Sequence, residues 1–167
     1  PEMSTFTRKI SGFETIYSEL GCGSGKSLVE HAEKETDACF VGFELRYKRA
    51  YKAAAKASRK ELKNVFVFRC NAKVLPELFG PASLSGVFVN FPDPWDKKRW
   101  EENRILNERM LDSLAVLLKP AGFLSYKTDH TIRFRETLTL LSAHRQFAVQ
   151  RATEDLWNSD HASENVT

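Results

Sequence analysis

Residues 88–99 read Phe88-Val-Asn-Phe-Pro-Asp-Pro-Trp-Asp-Lys-Lys-Arg99. The stretch opens as a strand, because Val87, Phe88 and Val89 form an apolar run. Pro92 and Pro94 end regular structure, since each fixes φ and removes a backbone donor. Asp93 is caught between the two prolines, so its backbone position is narrowly defined. Trp95 follows, then the cations Lys97, Lys98 and Arg99. A stiff loop carrying a carboxylate, an aromatic ring and three cations is more than a connection requires. Taken alone it also fits a proline-stiffened turn with a solvated charge run.

Working outward, short apolar runs alternate with helical periodicity. Strands are expected at Thr15–Leu20, Ala38–Phe43, Val65–Arg69, Leu84–Asn90 and Phe123–Lys127, with a sixth at Phe147–Arg151. Helices are expected at Lys26–Lys34, Arg46–Leu62, Val74–Leu78, Glu101–Leu118 and Ile132–Leu141. In the long second helix, Tyr47, Ala50, Tyr51, Ala54 and Ala57 or Ser58 mark the expected buried side. Lys48, Lys52, Lys56 and Lys60 recur every fourth residue on another face. Residues 1–12 carry no expected element. The alternation is that of a mostly parallel α/β sheet covered by helices on both faces. In such sheets functional groups gather at the carboxyl ends of the strands. The conspicuous residues fall there: Glu19 with the glycine turn, Glu44, Asn71, Asn90–Trp95 and Thr128–His130.

Composition sets the outer bounds. A chain of 167 residues with 42% hydrophobic and 11% aromatic content is globular, with one core-bearing domain over 1–167. No apolar run approaches the ~20 residues that span a bilayer, and no signal-like segment opens the chain, so a cytoplasmic location is expected. Three widely spaced cysteines, Cys22, Cys39 and Cys70, read as reduced small residues without metal-ligand spacing. The net charge is +3, but Leu45–Lys73 holds ten basic residues against one acid. Such a field suits an anionic partner, while a solubilising helix face would produce the same count.

Glu19-Leu-Gly-Cys-Gly-Ser-Gly25 is a glycine-rich turn between a strand and a helix. It fails the phosphate-loop spacing by one residue, since only three positions separate Gly21 from Gly25-Lys26-Ser27. It also departs from the dinucleotide pattern, because Lys26 stands where Gly or Ala is required. The form ExGxGxG instead resembles the first motif of S-adenosylmethionine-dependent methyltransferases. Glu44, 19 residues after Gly25, stands where nucleotide-binding sheets place an acid on the ribose hydroxyls, or is a capping acid ahead of Arg46. Asn71 faces an adenine edge or is a turn asparagine.

The run Phe91–Arg99, with Glu19–Gly25 before it and Thr128-Asp-His130 after it, resembles the bacterial tRNA (guanine-N7-)-methyltransferase family over about residues 13–167. The Phe-Pro-Asp-Pro-Trp-x-Lys-[Lys/Arg]-[Arg/His] string is far more specific than the glycine motif. The resemblance implies a Rossmann-like, class I methyltransferase fold and transfer of a methyl group from S-adenosylmethionine to N7 of a guanine in the tRNA variable loop. It implies that Glu19, Gly21, Gly23 and Gly25 line the methionine end of the cofactor, that Glu44 holds the ribose, and that Asn71 lies beside the adenine where the family usually has Asp. It places Asp93 at the reaction centre, Lys97, Lys98, Arg99 and Arg104 on the tRNA backbone, and Asp129 near the target base. The tail leads towards a Thr-x-[Phe/Tyr]-Glu motif, and Thr167 matches its threonine. The glutamate of that motif and the family's last strand are expected to be missing from this chain. His161 stands where the family often has an aromatic residue. The resemblance implies no metal and no obligate protein partner, and leaves monomer or homodimer open.

The chemistry accords with these residues. Guanine N7 carries a lone pair and no proton, so methylation needs alignment rather than prior deprotonation. A preorganised carboxylate, Asp93, would stabilise positive charge developing on the base. A general base has little to do, and His130 is read as a helix cap. Trp95 either stacks on a base or anchors its loop. Other readings of the same fold are a methyltransferase for another RNA site or a small molecule, and a non-catalytic RNA-binding relative. An NAD-dependent oxidoreductase fits the glycine pattern less well.

Overall fold

The computed structural model describes residues 3–160. The chain runs α1 (Met3–Ile10), β1 (Thr15–Leu20), α2 (Lys26–Lys34), β2 (Ala38–Phe43), α3 (Tyr47–Arg59), β3 (Val65–Phe68), a 3-10 turn (Ala72–Val74), α4 (Leu75–Leu78), β4 (Leu84–Asn90), a 3-10 segment (Lys98–Asn103), α5 (Glu108–Leu117), β5 (Leu118–Lys127) and α6 (Thr131–Ala143). The five strands form one sheet in the order β3-β2-β1-β4-β5, and every pairing is parallel. The strand order reverses between β1 and β4, and that switch point opens a crevice at the carboxyl ends.

Side chains alternate across β2 as strand geometry requires. Cys39, Val41 and Phe43 enter the larger core with α1, α4 and α5. Ala38 and Phe40 enter a second core with Leu28 and Ala32 of α2 and Ala53 of α3. Apolar faces of α2 (Leu28, Val29, Ala32) and α5 (Met110, Leu111, Leu114, Leu117) are buried as their periodicity requires.

Five expectations are corrected. Residues 3–10 are helical, because Phe6 and Ile10, four apart, bury together, and Phe6 meets Phe68 edge-on at 4.8 Å. In α3 the buried stripe is Ala50, Ala53 and Ala57. Tyr47 and Tyr51 are 65% and 64% exposed, and Ala54 is exposed as well. Only small side chains fit beneath this helix: a Cβ on Gly25 would lie 2.7 Å from Ala53 Cβ, so the alanines face the sheet and the tyrosines turn outward. The expected helix Glu101–Leu118 is a 3-10 segment followed by α5, separated at Arg104–Asn107, where Asn107 caps α5 by accepting from Met110 N–H at 2.9 Å. β5 starts at Leu118, five residues earlier than expected, and absorbs Pro120 and Gly122 through a register shift against Leu84 and Gly86. Residues 147–151 form no strand. A strand needs a ladder partner; here Phe147 packs on the His144 ring at 5.2 Å instead.

Asn64 couples the second helical layer to the sheet. It is 5% exposed, and its Nδ2 lies 2.9–3.2 Å from the carbonyl oxygens of Ala32, Glu35 and Ala38. The side chain thus ties a helix end to a strand start, with the Ala32 and Ala38 bonds buried. Asn64→Ala is expected to lower unfolding free energy by about 1–3 kcal/mol, the cost of leaving buried carbonyls unpaired. In urea titration this appears as a lower midpoint with an unchanged m-value.

Candidate active site

The glycine turn leaves β1 at the switch point. Gly21, Gly23 and Gly25 have φ of 76°, 55° and 71°, the left-handed region. Gly25 must also lack a side chain, as it starts α2 against Ala53. Gly23 has open space where its Cβ would be, which leaves backbone facing the crevice. Gly21 N–H and Cys22 N–H both donate to Phe43 O, at 2.8 and 2.9 Å, and tie the turn to the end of β2.

Glu19 and Asn90 meet across the switch point. Asn90 Nδ2 donates to Glu19 Oε1 at 3.0 Å and to Ser27 Oγ at 3.1 Å. Glu19 is 4% exposed. Burial pushes its carboxyl up to about 7, against the opposing pull of hydrogen bonds from Asn90, the Leu28 backbone and Ser27 and of the Lys127 charge. Asn90 Oδ1 is buried and lacks a hydrogen-bond partner among the described residues. The same wall holds Cys22, whose thiol burial raises well above its ordinary value; Cys39 is raised to about 12 by burial, and neither is a thiolate at neutral pH.

Glu44 is also buried, at 7% exposure. Its two oxygens accept from backbone: Gly23 N–H at 3.1 Å and Arg46 N–H at 2.7 Å. The acid at the end of β2 therefore shapes the glycine turn as well as facing the crevice. Arg46 then reaches across to Asp93, with Nη2 to Oδ2 at 3.0 Å. Both side chains are at least half exposed, so the pair adds about 1 kcal/mol or less to stability; what it does is orient the carboxylate. The sequence marked Asn90 at a strand end without giving it a role, and it did not mark Arg46. For Asn90 the signal was its place at the end of β4; for Arg46 no periodicity or motif pointed to Asp93, 47 positions away.

The loop after β4 is set by two left-handed residues, Phe91 at φ 48° and Trp95 at φ 47°. Such values cost a non-glycine residue about 1 kcal/mol or more and persist where surroundings impose them. Trp95 is half-buried and meets Trp100 edge-on at 5.9 Å, a contact between neighbouring parts of the same connection. Lys97 Nζ and the Arg99 guanidinium lie over Trp100 at 4.8 and 5.0 Å. Asp96 Oδ1 sits 3.1 Å from His130 Nε2 and 3.5 Å from Arg133 Nε, tying the loop to the start of α6. His130 caps α6, its Nδ1 accepting from Arg133 N–H at 3.3 Å, as expected. That acceptance leaves Nε2 as the protonated nitrogen that donates to Asp96.

The remaining sequence-derived residues are dispersed. Lys97, Lys98, Arg99 and Asp129 are exposed. Arg104 is not a free cation: its side chain is 19% exposed, with Nη1 2.6 Å from Glu101 and 3.6 Å from Glu136. Asn71 is exposed and caps the 3-10 turn, its Oδ1 accepting from Lys73 N–H at 3.0 Å. Thr167 and His161 lie outside the described residues.

The family model described as "Putative methyltransferase" matches residues 14–167. A bifunctional glycosyltransferase/methyltransferase of Fusobacterium nucleatum is 34% identical over 163 residues, 98% of this chain but 25% of that protein. A tRNA (guanine-N(7)-)-methyltransferase of Mycoplasma pneumoniae is 36% identical over 158 residues, covering 92% of this chain and 74% of that one. Among solved structures, the aminoglycoside resistance methyltransferase NpmB1 superposes with a TM-score of 0.63 at 22% identity, covering 96% of this chain and 76% of that one. Fold and crevice together define a class I S-adenosylmethionine-dependent methyltransferase. Within that class, the chain belongs to the tRNA (guanine-N7-)-methyltransferase family.

The crevice fits that cofactor. Open space at Gly23, the unpartnered Asn90 Oδ1 and the buried carboxylates of Glu19 and Glu44 suit a ligand that carries an ammonium, a sulfonium and ribose hydroxyls. A cation beside Glu19 favours its ionised form, whereas burial alone favours the neutral one. Affinity for S-adenosylmethionine, measured calorimetrically, is therefore expected to rise with pH through about 7. Stability of the ligand-free protein should run the other way. The folded-state value of Glu19 is raised above the ordinary 4.5, so its contribution is complete below pH 4.5 and is lost as pH rises through about 7. Glu19→Gln should flatten both profiles. Unchanged profiles would exclude Glu19 as the titrating group.

Proposed function

We propose that the protein transfers a methyl group from S-adenosylmethionine to N7 of a guanine in the variable loop of tRNA. The observation that carries the reading is the Glu44–Arg46–Asp93 chain, which joins the glycine turn to the Phe-Pro-Asp-Pro-Trp loop. The name of the Mycoplasma pneumoniae relative supports tRNA as substrate. Residues 1–167 act as one methyltransferase domain in this reading, and a tRNA substrate places the protein in the cytoplasm. No described helix is long and apolar enough to cross a membrane.

Bound in the crevice, S-adenosylmethionine supplies an electrophilic methyl group on a sulfonium. With that cofactor held in the crevice, the N7 lone pair of guanine would form the new N–C bond as the S–C bond breaks, and positive charge would pass from sulfur to the base. Glu19 and Asn90 hold the methionine end, beside a turn that Gly21, Gly23 and Gly25 keep free of side chains while their N–H groups donate to Phe43 O, Glu44 and Cys22 O. Glu44, already oriented by two backbone N–H groups, accepts from the ribose, and Asn71 borders the adenine. Asp93 faces the developing positive charge. Its proline neighbours and Arg46 hold it in place, so little reorganisation accompanies the transfer. Asp129, on the loop after β5, joins Asp93 along the N1 and amino edge of guanine. Lys97, Lys98 and Arg99 meet the RNA backbone. Arg104 joins them if RNA phosphate displaces Glu101 and Glu136.

The test is methyl transfer from labelled S-adenosylmethionine to an unmodified tRNA transcript, with the product nucleoside identified. N7-methylguanosine is expected. Asp93→Asn should lower turnover by about 100-fold or more, the scale for removing one preorganised electrostatic group. Cofactor affinity, measured in parallel, should change little. Asp93→Asn turnover within twofold of wild type would remove Asp93 from the reaction centre.

A further inference from the structure

Two exposed tyrosines stand at the cofactor end of α3. Tyr47 and Tyr51 are four residues apart, and their rings are 6.4 Å apart and inclined by 23°. Both are about two-thirds exposed, 65% and 64%. The Arg69 guanidinium, from the far end of β3, lies 6.0 Å over the Tyr47 ring. Leu45, just before the helix, is 65% exposed. Tyrosines on a helix that buries only alanines contribute nothing to the core. They do create an apolar patch in a place where polar residues would serve solubility better.

The charge around the patch limits what covers it. Tyr47–Arg59 contains five cations, Lys48, Arg49, Lys52, Lys56 and Arg59, and no acid. A protein surface that matched this helix would have to be strongly acidic. Nucleic acid matches it without special composition, because phosphates meet the cations and bases meet the rings. Stacked aromatics beside a basic groove are how proteins hold unpaired nucleotides regardless of sequence. Position adds a second constraint. Arg46, the residue before Tyr47, holds Asp93, so the rings lie at the same end of the sheet as the reaction loop.

We propose that Tyr47 and Tyr51, with Arg69, form a stacking platform for unpaired bases of the RNA substrate, while Lys48 and Lys52 take the adjoining phosphates. The platform rests on the tRNA reading above and extends it. It is a contact surface separate from Lys97–Arg99, on the other side of the glycine turn. It would let the enzyme hold nucleotides flanking the target while the guanine enters the crevice, since a base must leave its stack before chemistry on it can proceed.

The experiment measures binding of the full chain to an unmodified tRNA transcript and to a 15-nucleotide oligouridine, by fluorescence anisotropy at several salt concentrations. Tyr47→Ala/Tyr51→Ala should weaken both by about tenfold or more, the scale of losing base stacking. Tyr47→Phe/Tyr51→Phe keeps the rings and should stay within about threefold of wild type. Lys48→Ala/Lys52→Ala should instead lower the salt slope, by up to about 2 for two phosphate contacts, and the alanine pair at the tyrosines should leave it unchanged. Affinity for S-adenosylmethionine and the thermal midpoint should be unaffected in all variants. Tyrosine-to-alanine binding within twofold of wild type for both probes overturns the platform. Weakened cofactor binding with RNA affinity intact overturns it as well, by assigning the rings to the cofactor. So does a wild-type dimer in sedimentation that the alanine pair dissolves, which would make the patch a self-association surface. If wild type binds oligouridine through the tyrosines but neither binds nor methylates tRNA, the platform stands and the tRNA reading falls.

Discussion

The contact between Gly25 and Ala53 sets the cofactor end of this molecule. With 2.7 Å between Ala53 Cβ and the place where a Gly25 side chain would begin, α3 rests directly on the start of α2. That closeness brings the β2–α3 connection against the glycine turn. Glu44 can then accept from Gly23 N–H, and Arg46 can reach Asp93. It also dictates which face of α3 is inward. Alanines fit the gap, and everything larger points to solvent.

The site combines two kinds of carboxylate. Glu19 and Glu44 are both buried; Glu44 accepts from two backbone N–H groups, and Glu19 accepts from an amide, a hydroxyl and a backbone N–H. At Glu19 desolvation outweighs these hydrogen bonds and raises the carboxyl to about 7. Asp93 is half exposed and is held by one cation and two prolines. A cofactor carrying positive charge suits buried carboxylates, because it relieves the penalty that burial imposes. A base that acquires charge only during reaction suits a carboxylate that is fixed and still accessible.

The loop that carries Asp93 is braced from three directions. Arg46 holds it from the β2–α3 connection, Trp100 packs against Trp95, and Asp96 meets His130 and Arg133 at the start of α6. Each contact is modest, and the Arg46–Asp93 pair is at least half exposed on both sides. Together they maintain left-handed values at Phe91 and Trp95 that no local preference would select. The cations Lys97 and Arg99 lie over Trp100, so the aromatic cluster also orients these two side chains.

Much of this was legible from the chain alone. Apolar runs of strand length, glycine punctuation and the proline-flanked Asp93 are local patterns, and local patterns survive without knowing what packs against them. They determined the parallel α/β sheet, the collection of Glu19, Glu44, Asn90 and Asp93 at strand ends, and the family. Periodicity alone, however, does not say how far a helix is rotated about its axis. Tyr47 and Tyr51 share a face with alanines by count, and only the steric contact with Gly25 turned them outward. The absence of a strand at 147–151 likewise depended on a missing ladder partner rather than on residue type. The Arg46–Asp93 pair and the raised Glu19 carboxyl are tertiary facts in the same sense. Charge pairing over 47 positions and desolvation are set by neighbours in space, which the linear order does not encode.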